Sequence, residues 1–502
     1  MQKVLPLTHE LALFDTVQTR ALEQRAAVAL PAHTLMRLAG EAVARLALAI
    51  APNAQQIWVA AGPGNNGGDG LEAAIHLLGW GKHVQVTLTG DPTAMPADAQ
   101  AALARAHTAG VRIEASATAP TETPQLAIDA LLGVGANRAP HGSIAAAIRA
   151  LNALTCPVLA VDLPSGLNAD TGRPLGTDCV LATHTLALLT LKPGLFTGAG
   201  RDHATEVWLD TLGVDASSTP PHAWLSGLQA GSERAPRRHV DHKGRFGEVA
   251  VVGGASGMRG AALLAARAAH AAGAGRVYVE LLDPDARASG IDPMRPELMF
   301  RPDWSRGTPQ VLGGSTVVCG CGGADAVRAP LPRLLTHAAR LVLDADALNL
   351  MATDDSLIAL LRARSQRGQA TVLTPHPLEA ARLLHCTTPE IQNDRLRAAV
   401  ELASRFACVI VLKGSGSVVA SPGLAPRVNS TGNAALATAG TGDVLAGWLA
   451  GLWAQCYSDN EAATAFAIAS QAVAEHGAAA DLQSRGPLRA ADLIERLHAQ
   501  SS

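Results

Sequence analysis

The chain has 502 residues, room for two to four domains at about 150 residues each, and 48% hydrophobic against 17% charged residues excludes global disorder. With 40 Lys and Arg against 43 Asp and Glu the formal charge is −3, so nothing electrostatic favours nucleic acid or an anionic membrane, and 3% aromatics leave little for base stacking. No apolar run spans a bilayer, MQKVLPLTHELALFD turns polar too soon for a secretory signal, and the seven cysteines lack a CxxC pair; a soluble, cytoplasmic chain with reduced, buried thiols is expected.

Helices are expected at 9–29 and 33–50, followed by a strand–helix rhythm. IWVAAG (57–62), HVQVTLTG, LAIDALLG and PVLAVDLP read as strands, alternating with the helices LEAAIHLLGWG, ADAQAALARAHTAG and SIAAAIRALNAL. Short apolar runs between helices of about a dozen residues argue for βαβ units and a mainly parallel sheet. The rhythm stops near residue 214, and the Pro-, Ser- and charge-rich stretch to 244 reads as a linker, with a boundary near 225–238. A second series then runs through the strands FGEVAVVGG, RVYVELL, STVVCG, ARLVLDAD, ATVLTP and CVIVLKG. RGAALLAARAAHAAG, DVLAGWLAGLWAQC and EAATAFAIASQAVAEHG are its helices. The halves share an architecture but no loop signature, so they are not a repeat.

Three strand-end loops of the first half carry polar groups. Gly62-Pro-Gly64-Asn65-Asn66-Gly67-Gly68-Asp69-Gly70 contains GxGxxG, whose glycines let backbone amides approach a pyrophosphate at a helix N-terminus. Alone it is equally well a Gly-rich turn, but NNGGD adds side-chain ligands that a turn does not need. Asp129 ends LAID before Gly133-Val134-Gly135-Ala136-Asn137-Arg138, and Asp162 ends VLAVD before Leu163-Pro164-Ser165-Gly166. Either aspartate alone reads as a helix cap. Three such loops in successive βα units converge on one sheet edge, which favours a site.

GPGNNGGDG (62–70), DALLGVGANRAP (129–140), VDLPSGLNADTG (161–172) and LTLKPGL (189–195) together resemble the NAD(P)H-hydrate epimerase family over most of residues 10–215. The resemblance implies substrate contacts at Asn65, Asn66, Gly67, Gly68 and Asp69, and at Gly133 through Ala139. It implies a potassium ion held by Asn66, Asp129 and Ser165, with Asp162 at the nicotinamide as catalytic candidate and Lys192 as a second acid/base partner. Oxygen-only ligands suit a hard cation better than zinc.

In the second half Asn429-Ser-Thr431-Gly-Asn433 leads to Gly440-Thr441-Gly442-Asp443 at the head of a helix. The glycines permit a tight turn whose amides face a phosphate, and Asp443 is a cap or the base that takes a hydroxyl proton. GxxxxGK[ST] is absent, so this is not a P-loop. Asp344 and Asp346 follow a strand, His376 lies in a Pro-bracketed loop, and Lys413 precedes GSGS. Singly, His376 reads as a neutral loop histidine and Lys413 as a solvated turn charge; together they suit a ribokinase-type phosphotransfer site.

HKGRFGEVAVVGG, RPELM, LVLDADALNL, LTPHPLEAARLL and NAALATAGTGDVLAG resemble the ADP-dependent NAD(P)H-hydrate dehydratase family over roughly 238–490. The resemblance implies hydrate contacts at Ala261, at Gly322 or Gly323, at His376 and at Asp443. Nucleotide contacts are implied at Lys413, Gly414, Ser415, Gly416, Ser417 and Gly442. Where the family has GPGLG this chain has CGCGG (319–323). The expected architecture is α/β, with a Rossmann-like three-layer domain over 1–228 and a ribokinase-like domain over 229–502.

The two resemblances imply one metabolite: NADHX and NADPHX, the C6 hydrates of NADH and NADPH. The first half would interconvert their R and S epimers, and the second would dehydrate the S epimer with ADP and Mg²⁺, giving NAD(P)H, AMP and phosphate. Potassium, ADP and Mg²⁺ are the expected small partners, in a homo-oligomer without nucleic acid or membrane. The rivals are a vitamin-alcohol kinase fused to an NAD-binding domain, separable by its ATP use, and a non-catalytic binding protein, against which the presence of both Asp162 and Asp443 speaks.

Overall fold

The computed structural model describes residues 1–115, 120–228, 237–285, 290–456, 460–482 and 486–500. The chain forms two compact units, Met1–Pro6 with Leu11–Ala223, and Leu7–Glu10 with Trp224–Ser502. Residues 229–236, in the segment where the boundary was expected, lie outside the described residues. Both units are α/β, Rossmann-like in the first and ribokinase-like in the second.

In the first unit the sheet runs Gln2–Lys3, Glu206–Asp210, His184–Leu188, Val158–Val161, Leu126–Ala130, Gln56–Ala61, His83–Leu88, Arg112–Glu114, parallel except for the first strand. Side chains alternate across a strand, and each central strand is apolar on both faces. Ile57 and Val59 pack with Val43, Leu46, Leu71 and Leu77 from the helices Thr34–Ile50 and Asn65–Gly79. Trp58 and Ala60 pack on the opposite face with Ile148 and Leu151 of Gly142–Asn152. Three layers result.

The first expected helix begins late. Leu11–Leu13 is a strand, with Leu13 bridged to Leu191, and the helix is Thr16–Ala29. Asp15 sets that start, because its side chain accepts from Gln18 N while Gln18 bonds back to Asp15 N. The helix expected from residue 71 starts earlier, at Asn65. NNGGD is therefore a first helical turn and not a loop. Gly62 and Gly67 permit this: a Cβ on Gly62 would lie 1.9 Å from Leu131 O, and one on Gly67 1.9 Å from Gly62 O.

In the second unit the parallel strands run Met299–Phe300, Arg276–Leu281, Glu248–Gly253, Thr316–Cys319, Arg340–Leu343, Thr371–Leu373, Val409–Leu412. Val418–Ala420 and Arg427–Asn429 follow antiparallel. The stretch read as linker holds one more strand, Ala223–Ser226, whose Trp224 to Ser226 pair in parallel with Arg427 to Asn429. Val249 and Val251 face a core built from the helices Arg259–Ala271, Thr441–Ala454, Glu461–Asp481 and Ala490–Gln500. No helix among the described residues is long and apolar enough to cross a membrane.

Arg364 is fully buried in this unit. Its guanidinium donates to Thr371 Oγ1 and to the carbonyls of Leu334, Leu335, Ala338, Ala339 and Ala370. Among them, Leu335 O belongs to the last turn of the helix Leu331–His337, where carbonyls run out of helical donors, while Leu334 O also accepts from Ala338 N. Arg364→Met should deprive these carbonyls of that donor and lower stability by about 2–4 kcal/mol. A denaturant midpoint unchanged from wild type would show that water replaces the guanidinium.

Candidate functional site

The strands Gln56–Ala61, Leu126–Ala130 and Val158–Val161 are parallel neighbours, so the segments leaving their C-terminal ends share one sheet edge. At that edge the first unit holds a cavity of about 790 Å³. Asn65, Asn66, Asp69, Asp162, Lys192 and every residue from Gly133 to Ala139 line it. Gly67 and Gly68 do not; their part is close packing, Gly67 against Gly62 and Gly68 against Met36. The helix Thr16–Ala29 adds Thr19, Arg20 and Glu23 to the wall. The sequence reading missed these three, although their i, i+1 and i+4 spacing groups them on one side of a helix.

Asp129 is fully buried. It accepts from Ser165 Oγ at 2.6 Å, Ser165 N at 2.8 Å and Leu131 N at 3.2 Å, while Leu132 N donates to Ser165 Oγ at 2.8 Å. The bond to Leu131 is the local turn contact of a short aspartate, and the bonds to Ser165 tie two strand-end segments together. Burial pushes the Asp129 carboxyl up to about 6 despite these donors. Asn66 lies against Gly133, where a Cβ would be 3.3 Å from Asn66 Cβ. Its buried amide nitrogen has no partner. That nitrogen is a donor and seeks an acceptor, so the groups here that suit a hard monovalent cation are oxygens: the Asp129 carboxylate, the Ser165 hydroxyl and the Asn66 amide oxygen.

Asp162 is not a helix cap. It sits at φ 69°, accepts from Leu188 N at 3.1 Å, and is ion-paired with the ammonium of Lys192. Lys192 is fully buried and also donates to Leu188 O at 2.8 Å. Positive φ at a non-glycine is strained backbone, and such strain gathers at functional sites. Burial, then the charges of Asp162 and Glu23, hold the Asp69 carboxyl well above its usual range. Burial and Asp162 likewise raise Glu23. Lys192 thus faces Asp162 and Glu23, while Asp69 lies among carboxyl groups.

In the second unit Asp344, Asp443 and Cys321 bring their ligand atoms within 4.8 Å of one another. Asp443 enters from the first turn of Thr441–Ala454, whose N-cap is Gly440 at φ 89°. Asp344 accepts from Lys413 Nζ at 2.7 Å and Thr374 Oγ1 at 2.8 Å. Lys413 is therefore a largely buried, ion-paired group and not a solvated turn charge. Burial alone would lower its ammonium, but Asp344 and Glu379 outweigh burial and raise it. Burial and the nearby Asp344 push Asp443 up to about 6, and burial pushes Glu379 up to about 7.

Gly442 lies beside Lys413, since a Cβ there would be 3.3 Å from Lys413 Nζ; the Gly440–Asp443 turn and the 413–417 segment are adjacent. Ser417 Oγ donates to Gly414 O at 3.1 Å and closes that segment into a turn. His376 is the N-cap of Pro377–Leu384, accepting at Nδ1 from Leu378 N and Glu379 N, with Nε2 3.2 Å from Glu379 Oε1. Burial and Lys413 lower its pKa, consistent with a neutral ring. Ala261 touches Gly322, where a Cβ would be 2.8 Å from Ala261 Cβ; Gly323 faces Val327 instead.

Cys321, Thr374 and Glu379 were missed by the sequence reading, as was His476, whose Nε2 is 2.9 Å from Thr441 O behind the turn. Burial and the charges of Asp443 and Asp344 raise the Cys321 thiol far above its usual range. It stays protonated and is no ligand for a hard cation. Mg²⁺ would arrive on the phosphate oxygens of the nucleotide, leaving Asp344 paired with Lys413 and Asp443 free to act as a base.

Residues 32–194 match the family model described as YjeF-related protein N-terminus, and residues 249–499 match NAD(P)H-hydrate dehydratase. The chain is 36% identical over 494 residues to the bifunctional NAD(P)H-hydrate repair enzyme Nnr of Escherichia coli (strain K12), covering 95% of this chain and 90% of that protein. With the enzyme of the same name from Vibrio cholerae serotype O1 it shares 35% identity over 513 residues, 99% of each. The crystal structure of ADP/ATP-dependent NAD(P)H-hydrate dehydratase from Bacillus subtilis, co-crystallized with ATP/Mg²⁺, is 28% identical over 53% of this chain and 92% of that one, with a TM-score of 0.41.

Proposed function

We propose, from the premise that the chain belongs to the family of bifunctional NAD(P)H-hydrate repair enzymes, a division of labour between its two sites. The enzyme repairs hydrated NADH and NADPH, epimerising R and S hydrates in its first unit and dehydrating the S epimer in its second. Seven free cysteines suit a reducing cytoplasm, where these cofactors are spent.

The observation that carries the dehydratase assignment is Asp443 at a helix N-terminus, beside Lys413 and a glycine turn open to phosphate. The C6 hydroxyl attacks the β-phosphorus of ADP, and Asp443 takes its proton. AMP leaves. The phosphate then departs from C6 as a proton leaves C5, which restores the double bond and releases phosphate. Lys413 and the amides of the Gly440–Asp443 turn hold the transferred group, and the neutral ring of His376, with Ala261 and Gly322, borders the hydrate. Mg²⁺, when bound with the nucleotide, neutralises phosphate charge.

In the first unit C6 is a carbinolamine carbon, bearing both hydroxyl and ring nitrogen. Removing the hydroxyl proton forms the C6 carbonyl as the N1–C6 bond breaks, its electron pair staying on N1, which takes up a proton. N1 then adds to the other face of the aldehyde and loses that proton while the C6 oxygen regains one, giving the other epimer. Asp162 takes the hydroxyl proton, with Lys192 holding the carboxylate in place. Asn65, Asn66, Asp69 and the Gly133–Ala139 segment position the dinucleotide.

Potassium, when bound, supplies fixed positive charge beside the substrate, and Asn66, Asp129 and Ser165 would hold it. Epimerisation should then be slow in sodium-only buffer and recover in potassium. Potassium should also raise the thermal midpoint of wild type but not of Asp129→Ala. Insensitivity of both readouts to the buffer cation would remove the ion from the site.

The whole assignment is tested by incubating the protein with mixed hydrate epimers, ADP and Mg²⁺, following dihydronicotinamide absorbance and separating the nucleotides. Full conversion of both epimers with one AMP per NAD(P)H is expected. A phosphorylated product without restored absorbance would overturn it.

A further inference from the structure

We propose that Arg395 is a positioning residue of the nucleotide segment 413–417, and that the nucleotide phosphates are the counter-charge its buried guanidinium lacks. This rests on the assignment of Lys413 to Ser417 to the nucleotide.

Among the described residues of the second unit two arginines are almost wholly buried, Arg364 at 0% exposure and Arg395 at 1%. Among the described residues neither has a carboxylate within ion-pair distance. The fold uses Arg364 completely, since every nitrogen of its guanidinium donates. Arg395 differs. Its Nη1 donates to Gln392 Oε1 at 2.7 Å, and its Nη2 donates to Leu412 O at 3.2 Å and Lys413 O at 3.1 Å. Its buried Nε has no partner.

The guanidinium also lies directly under the first glycine of the segment. A Cβ on Gly414, at φ 136°, would be 2.9 Å from both Nη atoms. Only glycine lets the backbone settle that closely on the cation. Arg395 thus fixes the carbonyl of the residue whose side chain anchors Asp344, and presses against the turn that Ser417 closes. Burial lowers its pKa only to about 10, so the charge persists at neutral pH.

A desolvated cation without a carboxylate is unfavourable, and in low dielectric its field reaches further than in water. An anion bound along 413–417 relieves that cost. The site is therefore biased toward a polyphosphate before any direct contact forms. The hydrate carries a pyrophosphate of its own, so the advantage to ADP lies in its assigned place on the 413–417 segment, whereas the hydrate is assigned to Ala261, Gly322 and His376.

The test is ADP binding by calorimetry with Mg²⁺, and the separate KM values for ADP and S hydrate, in full-length wild type, Arg395→Gln, Arg395→Lys and Ser417→Asp. Arg395→Gln should weaken ADP about tenfold and leave the hydrate KM within about twofold, while Arg395→Lys recovers part of the loss by restoring charge without the fork. Ser417→Asp, which adds a negative charge to the segment, should abolish ADP binding. If Ser417→Asp loses ADP and Arg395→Gln binds it like wild type, the inference fails while the nucleotide assignment stands. If Ser417→Asp binds ADP normally, the assignment fails and carries the inference with it. Equal rises in both KM values would make Arg395 merely structural and overturn the proposal. Should Arg395→Gln not fold, Arg395→Met decides in its place, since unchanged ADP affinity in a folded variant without the charge would also overturn the proposal.

Discussion

Asp443→Asn is expected to lower dehydration about 10²- to 10⁴-fold while leaving ADP bound and the epimers still interconverting. Asparagine keeps the shape of the side chain at the first turn of Thr441–Ala454, and Gly440 supplies the N-cap in either protein. What it lacks is the capacity to take the C6 hydroxyl proton. Wild type supplies a second readout. A base works only when deprotonated, and burial with Asp344 has pushed the Asp443 carboxyl up to about 6. Dehydration should therefore be lost as pH falls through about 6, whereas an unperturbed aspartate would hold activity until near 4. Near wild-type turnover in Asp443→Asn, or a flat rate between pH 7 and 5, would take Asp443 out of the mechanism.

The epimerase counterpart is Asp162→Asn. Asparagine tolerates the left-handed backbone at φ 69° and can still accept from Leu188 N, so the local fold should survive. The buried Lys192 ammonium would lose its carboxylate, and the double variant Asp162→Asn with Lys192→Met removes that stranded charge. Both proteins should lose about 10²- to 10⁴-fold in epimerisation. With ADP present they should still consume S hydrate at the wild-type rate and leave R hydrate behind. Drainage of both epimers at the wild-type rate would assign the exchange to another group.

The sequence makes the parallel strands legible because each carries a continuous apolar run, as in Ile57 to Ala61, between helices of about a dozen residues. It also exposes the site residues that stand at strand ends, since topology alone brings Asn66, Asp129 and Asp162 to one edge. Elements whose partners are remote were not legible. Leu11–Leu13 is extended because Leu13 bridges Leu191, and Ala223–Ser226 because Arg427–Asn429 lies beside it, and neither partner leaves a trace in the local pattern. The same holds for the chemistry. Glu379 looks like an ordinary helix residue, and only burial beside His376 and Lys413 distinguishes it. Cys321 looks like a deviation from a glycine motif, and only the fold sets its thiol against two aspartates.

The strand Ala223–Ser226 bears on how the protein can be divided. It lies within the stretch that reads as a linker, yet its backbone completes the ladder beside Arg427–Asn429. Arg427 is also ion-paired with Glu10 at 2.9 Å, so the second unit draws on residues near the start of the chain as well. A fragment beginning at residue 229 would leave the Arg427–Asn429 ladder groups open and a cation without its partner. Open strand edges recruit other strands, so such a fragment invites edge-to-edge association. Residues 224–226 and Glu10, parts of the second unit that lie ahead of residue 229, therefore act as a built-in guard of that edge against self-association, a role separate from either catalytic site.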